Sequence, residues 1–183
     1  TLLTISTDGT RLAYDCCGAG PAIILLHGGG GSHQEWHQAG YVQRLREHFT
    51  VVTLDLRGHG ESDLPIDPLA YTIEKLEQDI LAIADACRIE RFALWGMSYG
   101  GKVGRYLALH SERVQQFIML GTPLGPGVSS QPRQDAIDFY AHWTPIVQAL
   151  QEGRLDPASL SQGDQEMLRT LHIPAMTGWV RAM

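Results

Sequence analysis

Phe92-Ala93-Leu94-Trp95-Gly96-Met97-Ser98-Tyr99-Gly100-Gly101-Lys102 decides how this chain is read. An apolar run of strand character leads in, and a run of helical character, Val103 to Leu109, leads out. Between them stands Gly-x-Ser-x-Gly. If strand passes into helix at one residue, Ser98 is held in a strained conformation with its hydroxyl standing above the sheet. The residues two before and two after it then come so close that a Cβ on either would clash, which is the reason for Gly96 and Gly100. A serine hydroxyl is a weak nucleophile until a base takes its proton, so this turn proposes a reaction that it cannot complete alone. Two other readings cover the same residues. Gly96-x-x-x-x-Gly101-Lys102 matches most of a phosphate-binding loop, but the position that should hold Mg²⁺ through Ser or Thr is Val103. A purely structural glycine turn is the other.

Upstream, Ala22-Ile23-Ile24-Leu25-Leu26 is apolar on both faces, as expected of a strand covered by helices on each side. It runs into His27-Gly28-Gly29-Gly30-Gly31-Ser32. A helix is expected over Gln38 to His48 and a buried strand over Val51 to Leu56, followed by Arg57-Gly58-His59-Gly60-Glu61-Ser62-Asp63. Before all of these, Leu2 to Ser6 and Arg11 to Cys17 are β-prone runs joined by Thr7-Asp8-Gly9-Thr10, whose Asp-Gly suits a tight antiparallel hairpin. Thr72 to Cys87 places Ile73, Leu76, Ile80, Ile83 and Cys87 on one helical face. Val114 to Leu120 is a further strand. Strands alternating with helices from Pro21 onward predict an α/β, doubly wound, mostly parallel sheet with its ligand at the carboxyl ends of the strands.

Composition shifts after Pro123. Leu124 to Pro132 is rich in Gly, Pro and Ser and reads as a linker, and helical stretches over 133–150 and 164–171 follow without a strand between them. The expected organisation is therefore a core over 1–123 and a linker with part of a helical cap over 124–183. Hydrophobic residues make up 44% and charged residues 19%, the balance of a soluble globular protein. A net charge of −6 argues against nucleic acid or an anionic membrane as partner. The longest apolar run, Ala22 to Leu26, is too short to cross a bilayer. No leader is visible at Thr1, and three cysteines, two of them adjacent, make no disulfide framework, so a cytoplasmic setting is expected.

Three motifs thus follow three successive strands: His27-Gly28-Gly29-Gly30-Gly31, Asp55-x-Arg57-Gly58-His59-Gly60-x-Ser62-Asp63, and Gly96-x-Ser98-x-Gly100-Gly101. As a set, over Leu2 to about Pro123, they resemble the α/β-hydrolase superfamily, in particular its small serine esterases, lactonases, C–C hydrolases and cofactor-free haloperoxidase-like members. The resemblance implies that Ser98 is the nucleophile. It implies an oxyanion hole from the backbone N–H groups of Gly29 and Tyr99, and no cofactor or metal. Tyr99 N–H would open a helix, where amides lack intrahelical acceptors. Dehalogenases and epoxide hydrolases of the superfamily carry aspartate at the position of Ser98; serine points to a small, fairly apolar ester, lactone or other acyl substrate. C–C hydrolysis or perhydrolysis is the alternative within the fold, and a non-catalytic ligand receptor is the alternative outside catalysis.

The resemblance places the acid and the histidine after the serine, in the order Ser, Asp/Glu, His. Gly121-Thr122-Pro123 supplies no acid, and His142 or His172 with Asp135, Asp138 or Asp164 would stand in cap helices rather than at strand ends. The expectation is a partial chain whose acid and histidine lie beyond Met183.

Overall fold

The computed structural model describes residues 1–121, 142–143, 145–146, 149–150 and 152–165. The chain divides into two compact units, Thr1–Asp63 with Ile73–Thr122, and Leu64–Thr72 with Pro123–Met183.

The first unit is a six-stranded sheet in the order β1-β2-β4-β3-β5-β6. Its strands are β1 (Leu2–Ile5), β2 (Arg11–Gly18), β3 (Ala22–Leu26), β4 (Thr50–Leu54), β5 (Phe92–Met97) and β6 (Val114–Leu120). The hairpin β1–β2 turns at Gly9, whose φ of 88° requires glycine, and β2 runs antiparallel to β4. From there the sheet is parallel: β4 with β3, β3 with β5, β5 with β6. Chain order leaves β3 toward β4 on one side and returns to β5 on the other. The topological switch, where doubly wound sheets hold their ligands, therefore falls at the carboxyl ends of β3 and β5.

Alternation along the strands sorts the core onto two faces. Ile23, Leu25 and Val51 pack with Trp36 and Val42 from two short helices, α1 (Gln34–Gln38) and α2 (Tyr41–Leu45). The other face takes α4 (Tyr99–His110): a Cβ at Gly104 would lie 3.1 Å from Leu94 Cδ2, and one at Gly100 would lie 2.7 Å from Leu26 Cβ. Ile24, Leu25, Leu26, Val52, Leu54 and Leu94 have no accessible surface, each worth about 1.5–3 kcal/mol of apolar burial.

Two sequence expectations are corrected. The helix expected over Gln38 to His48 is instead α1 and α2, because Gly40 adopts φ 78°, a left-handed conformation that ends one helix and starts another. The strand expected over Val51 to Leu56 ends at Leu54, because the Asp55 side chain is drawn into the loops above the sheet. The helix α3 (Ile73–Ala86) buries Leu76, Ile80 and Ile83 as its periodicity predicts, and buries Asp79 beside them.

In the second unit, Pro68–Tyr71 and Pro157–Ser159 are single 3-10 turns. Asp67 caps the first through Leu69 N–H at 2.9 Å, and Asp156 caps the second through Ala158 N–H at 2.9 Å. Residues 142–143, 145–146, 149–150 and 162–165 are helical. The expected linker Leu124 to Pro132 and the rest of the expected cap helices lie outside the described residues. No helix among the described residues is long and apolar enough to cross a membrane.

Candidate active site

The parallel register between β3 and β5 determines the site. Leu26 pairs with Gly96, so continuing both strands by two residues brings Gly28 opposite Ser98. A Cβ at Gly28 would lie 3.6 Å from the Ser98 Cβ, ordinary contact distance. Ser98 has φ 48° and ψ −112°, and among the described residues its left-handed φ is shared outside glycine by Arg88 alone. Such a conformation in a side-chain-bearing residue costs of order 1–3 kcal/mol and is held only when its surroundings over-determine it. They do so here. Ser98 N–H donates to Leu120 O at 2.8 Å on β6, and Lys102 N–H donates to Ser98 O at 3.0 Å within the first turn of α4.

The two glycines flanking the turn leave no room for a side chain. A Cβ at Gly96 would meet Gly100 O at 2.5 Å, and one at Gly100 would meet His27 O at 2.5 Å. The turn is thus wedged against the end of β3, and Ser98 itself is exposed. Val103 is fully buried in α4, so it offers nothing to a nucleotide-bound cation and the phosphate-loop reading has no support in the geometry.

The glycine loop is a tight turn, Gly31 N–H donating to Gly28 O at 3.1 Å with Gly30 at φ 77°. Gly29, in the second position of that turn, is exposed, and its N–H has no hydrogen-bond partner among the described residues. Tyr99 is the first residue of α4, where the amide points out of the helix start.

Three side chains hold these loops in place. His27 is wholly buried; its Nε2 accepts from Leu56 N–H at 3.1 Å, so the proton sits on Nδ1, which donates to Gly28 O at 2.7 Å. Burial pushes its pKa down and keeps it neutral. His59 is nearly buried, with Nε2 accepting from Gly30 N–H at 3.1 Å and Nδ1 3.3 Å from Arg57 O. Burial, reinforced by neighbouring His27, lowers it to about 3. Asp55 accepts from His33 N–H at 2.7 Å and from Glu61 N–H at 2.8 Å, tying the glycine loop to the Arg57–Asp63 loop. His33 Nδ1 also lies 2.9 Å from the same carboxylate, as an ion-pair contact off the line of a good hydrogen bond. Burial works against the charge on Asp55, but these donors outweigh it, and its pKa falls while that of His33 rises.

Below the site, Arg57 is fully buried. It makes a bidentate pair with the equally buried Asp79, Nε–Oδ2 and Nη2–Oδ1 both at 2.6 Å, and reaches Asp8 at 2.8 Å. Two carboxylates thus surround one guanidinium, and the Asp8 carboxyl is held well below the usual range by its bond to Arg57. Asp79 was not singled out by the sequence reading. Its signal is a carboxylate inside the apolar stripe of α3, between Leu76 and Ile80, which a buried position tolerates only with a cationic partner.

Among the described residues no group of His, Cys, Asp or Glu side chains is arranged to hold a metal. His142 stacks edge-on against Trp143 at 5.5 Å within the second unit, and Asp164 accepts from Ser161 Oγ at 2.6 Å. His172, Asp135 and Asp138 lie outside the described residues. A shallow hollow lined by Asp85, Arg88, Ile89, Glu90 and Arg113 lies by the amino-terminal ends of β5 and β6, away from Ser98, and takes no part in the site.

Comparison with known proteins agrees with the fold. Residues 21–157, more than half of the chain, match the family described as alpha/beta hydrolase fold. The chain is 31% identical over 150 residues to 3-oxoadipate enol-lactonase 2 of Acinetobacter baylyi, covering 79% of this chain and 54% of that protein. It is 30% identical over 139 residues to epoxide hydrolase 3 of Siraitia grosvenorii, covering 75% of this chain and 42% of the relative. The chain therefore spans about half the length of these curated relatives. A crystal structure of a hydrolase from Pseudomonas aeruginosa superposes with a TM-score of 0.72 at 28% identity, covering 99% of this chain and 71% of that one.

Proposed function

Because this chain belongs to the α/β-hydrolase fold family and carries serine at its strained strand-to-helix turn, we propose that it supplies the nucleophile and oxyanion hole of a serine hydrolase. The substrate is a small, fairly apolar ester, lactone or related acyl compound. One observation carries the reading. Ser98 is exposed at the topological switch, with φ 48°, alongside a glycine loop whose Gly29 N–H is unpartnered among the described residues.

In the proposed reaction Ser98 Oγ attacks the acyl carbon as a base takes its proton. The carbonyl oxygen gains the charge and is held by the N–H groups of Gly29 and Tyr99, each such donor contributing ~2.7–4 kcal/mol in the transition state. Collapse expels the alcohol or opens the lactone and leaves an ester on Ser98, which a base-activated water then hydrolyses. Neither His27 nor His59 serves as that base, since both ring nitrogens of each engage the loop backbone. The base is assigned to a histidine outside the described residues, following Ser98 in the chain.

The relatives named above include both a lactonase and an epoxide hydrolase, and the residue at 98 separates the two chemistries. Attack by a serine oxygen on an epoxide carbon would leave an ether, which activated water does not cleave, so the enzyme would stop after one event. Attack on an acyl carbon leaves an ester, which turns over. The enol-lactonase is therefore the better guide to the reaction class. A fluorophosphonate probe and p-nitrophenyl butyrate turnover on the full-length protein test this. Covalent labelling and turnover both lost in Ser98→Ala support the reading, whereas labelling that survives the substitution refutes it.

A further inference from the structure

We infer that His59 is a positioning residue of this site, one imidazole that sets the glycine loop and the serine turn relative to each other. The inference rests on the serine-hydrolase reading and adds to it a residue that touches neither substrate nor the reacting atoms.

The geometry is that of a bracket. His59 Nε2 accepts from Gly30 N–H at 3.1 Å, on the turn that presents Gly29. Its ring sits edge-on to His27 at 4.7 Å, beside the base of the same turn, and stacks over Tyr99 at 6.5 Å with planes 27° apart. Tyr99 contributes the second proposed oxyanion amide, so His59 touches that residue and, through Gly30, the immediate neighbour of Gly29. The bracket is anchored below by His59 N–H donating to Leu56 O at 3.0 Å, and Nδ1 is 3.3 Å from Arg57 O, the residue clamped by Asp79 and Asp8.

Chemistry restricts the residue type. Gly30 N–H needs an acceptor at the far end of a flat side chain, and Arg57 O needs a donor on the near side. Neutral imidazole with its proton on Nδ1 supplies both, whereas imidazolium has no acceptor and would repel the Gly30 amide. Burial and the neighbouring His27 keep the ring neutral throughout the working range of pH, which is the state that the bracket requires. Without the acceptor, the Gly28–Gly31 turn, four glycines with no side chains of their own, loses the side-chain bond that holds Gly30, and keeps the Gly31–Gly28 turn bond and the tie of His33 N–H to Asp55.

His59→Phe keeps a ring against His27 and Tyr99 but removes the acceptor; His59→Gln returns an acceptor without the ring. The readouts on the full-length protein are p-nitrophenyl butyrate kinetics per phosphonate-labelled site, and amide hydrogen exchange of residues 28–31. His59→Phe is expected to lower kcat by about 10–100-fold with KM within about twofold, below the full ~10²–10³ loss for deleting a donor outright. Exchange over 28–31 should rise, and His59→Gln should recover part of both. Unchanged kcat per labelled site, or unchanged exchange, overturns the role of His59 while leaving the serine reading intact. Turnover that persists in Ser98→Ala overturns both together. If His59→Phe does not fold, His59→Ala, which lacks both acceptor and ring, decides: exchange and kcat equal to wild type overturn the positioning role, and raised exchange over 28–31 with lowered kcat supports it.

Discussion

Gly100→Ala tests the backbone argument most directly, because the structure supplies the size of the clash. The new Cβ would stand 2.5 Å from His27 O and 2.7 Å from both Leu26 O and Leu26 Cβ. Ordinary contact is ~3.5 Å, so β3 and the start of α4 must separate by about 1 Å. Two of the opposing atoms are backbone oxygens, which cannot rotate away, so the overpacking cost belongs near or above the top of the usual ~1–3 kcal/mol. Alanine regains at most ~1 kcal/mol of helix propensity. The net expectation is a loss of about 2 kcal/mol, or a fall in Tm of roughly 4–8 °C for a chain of this size. Gly104→Ala is the matched control. It has the same propensity gain in the same helix, but its nearest neighbour at 2.8 Å is Phe117 Cε2, a ring edge on the half-buried edge strand β6 that can shift. Its expected change is near zero. Urea unfolding followed by far-UV circular dichroism compares the midpoints at equal m-value. A Gly100→Ala variant within about 0.5 kcal/mol of Gly104→Ala would mean that the serine turn is not wedged against β3, and the reasoning from glycine contacts would fail. In the full-length protein, the same 1 Å displacement should also cost about 100-fold in turnover, because it moves Ser98 away from the glycine loop.

Other outcomes follow from the charges beneath and around the site. Asp79→Leu removes the fully buried carboxylate that pairs with the fully buried Arg57 and should cost about 3–5 kcal/mol, while Asp79→Leu with Arg57→Met should recover most of it; a denaturation double-mutant cycle measures the coupling. His27 and His59 have depressed values, so the stability they confer is present above ~6.5 and is lost as pH falls. Between pH 6 and 4 His59, lowered to about 3, should add about 1.4 kcal/mol per pH unit to the acid slope of unfolding, and His59→Phe should remove that share. His33 has the opposite sign. Its raised value makes the Asp55 pair fully stabilising below ~6.5 and weaker as pH rises through the folded value, so His33→Gln should flatten the alkaline side of the stability profile.

Much of this was legible because it is local. The strands at Ala22–Leu26, Phe92–Met97 and Val114–Leu120 stand where β-prone runs bounded by turn residues predict them, and Ala22–Leu26, covered on both faces, has no polar position to disguise it. Gly96 and Gly100 could be read as a forced pair because the clash they avoid is between residues four apart in sequence and across one adjacent strand end. The helix expected over Gln38 to His48 failed at Gly40, where a left-handed φ competes with an otherwise continuous helical pattern, and periodicity alone does not weigh that competition. Asp79 escaped notice for a different reason. Its partner Arg57 is 22 residues away, and a carboxylate in an apolar stripe has meaning only once its cation is found.

The sequence by itself determined the alternation of strand and helix, the strained serine and the glycines around it, since each rests on steric rules acting over a few residues. Only the tertiary structure decided that Leu26 lies in register with Gly96, which sets Gly28 beside Ser98, and that His59 is buried between His27, Gly30 and Tyr99. Registers and burial are properties of several segments folding at once, and the protonation state of a histidine follows from burial. No stretch of the chain contains that information before its neighbours arrive.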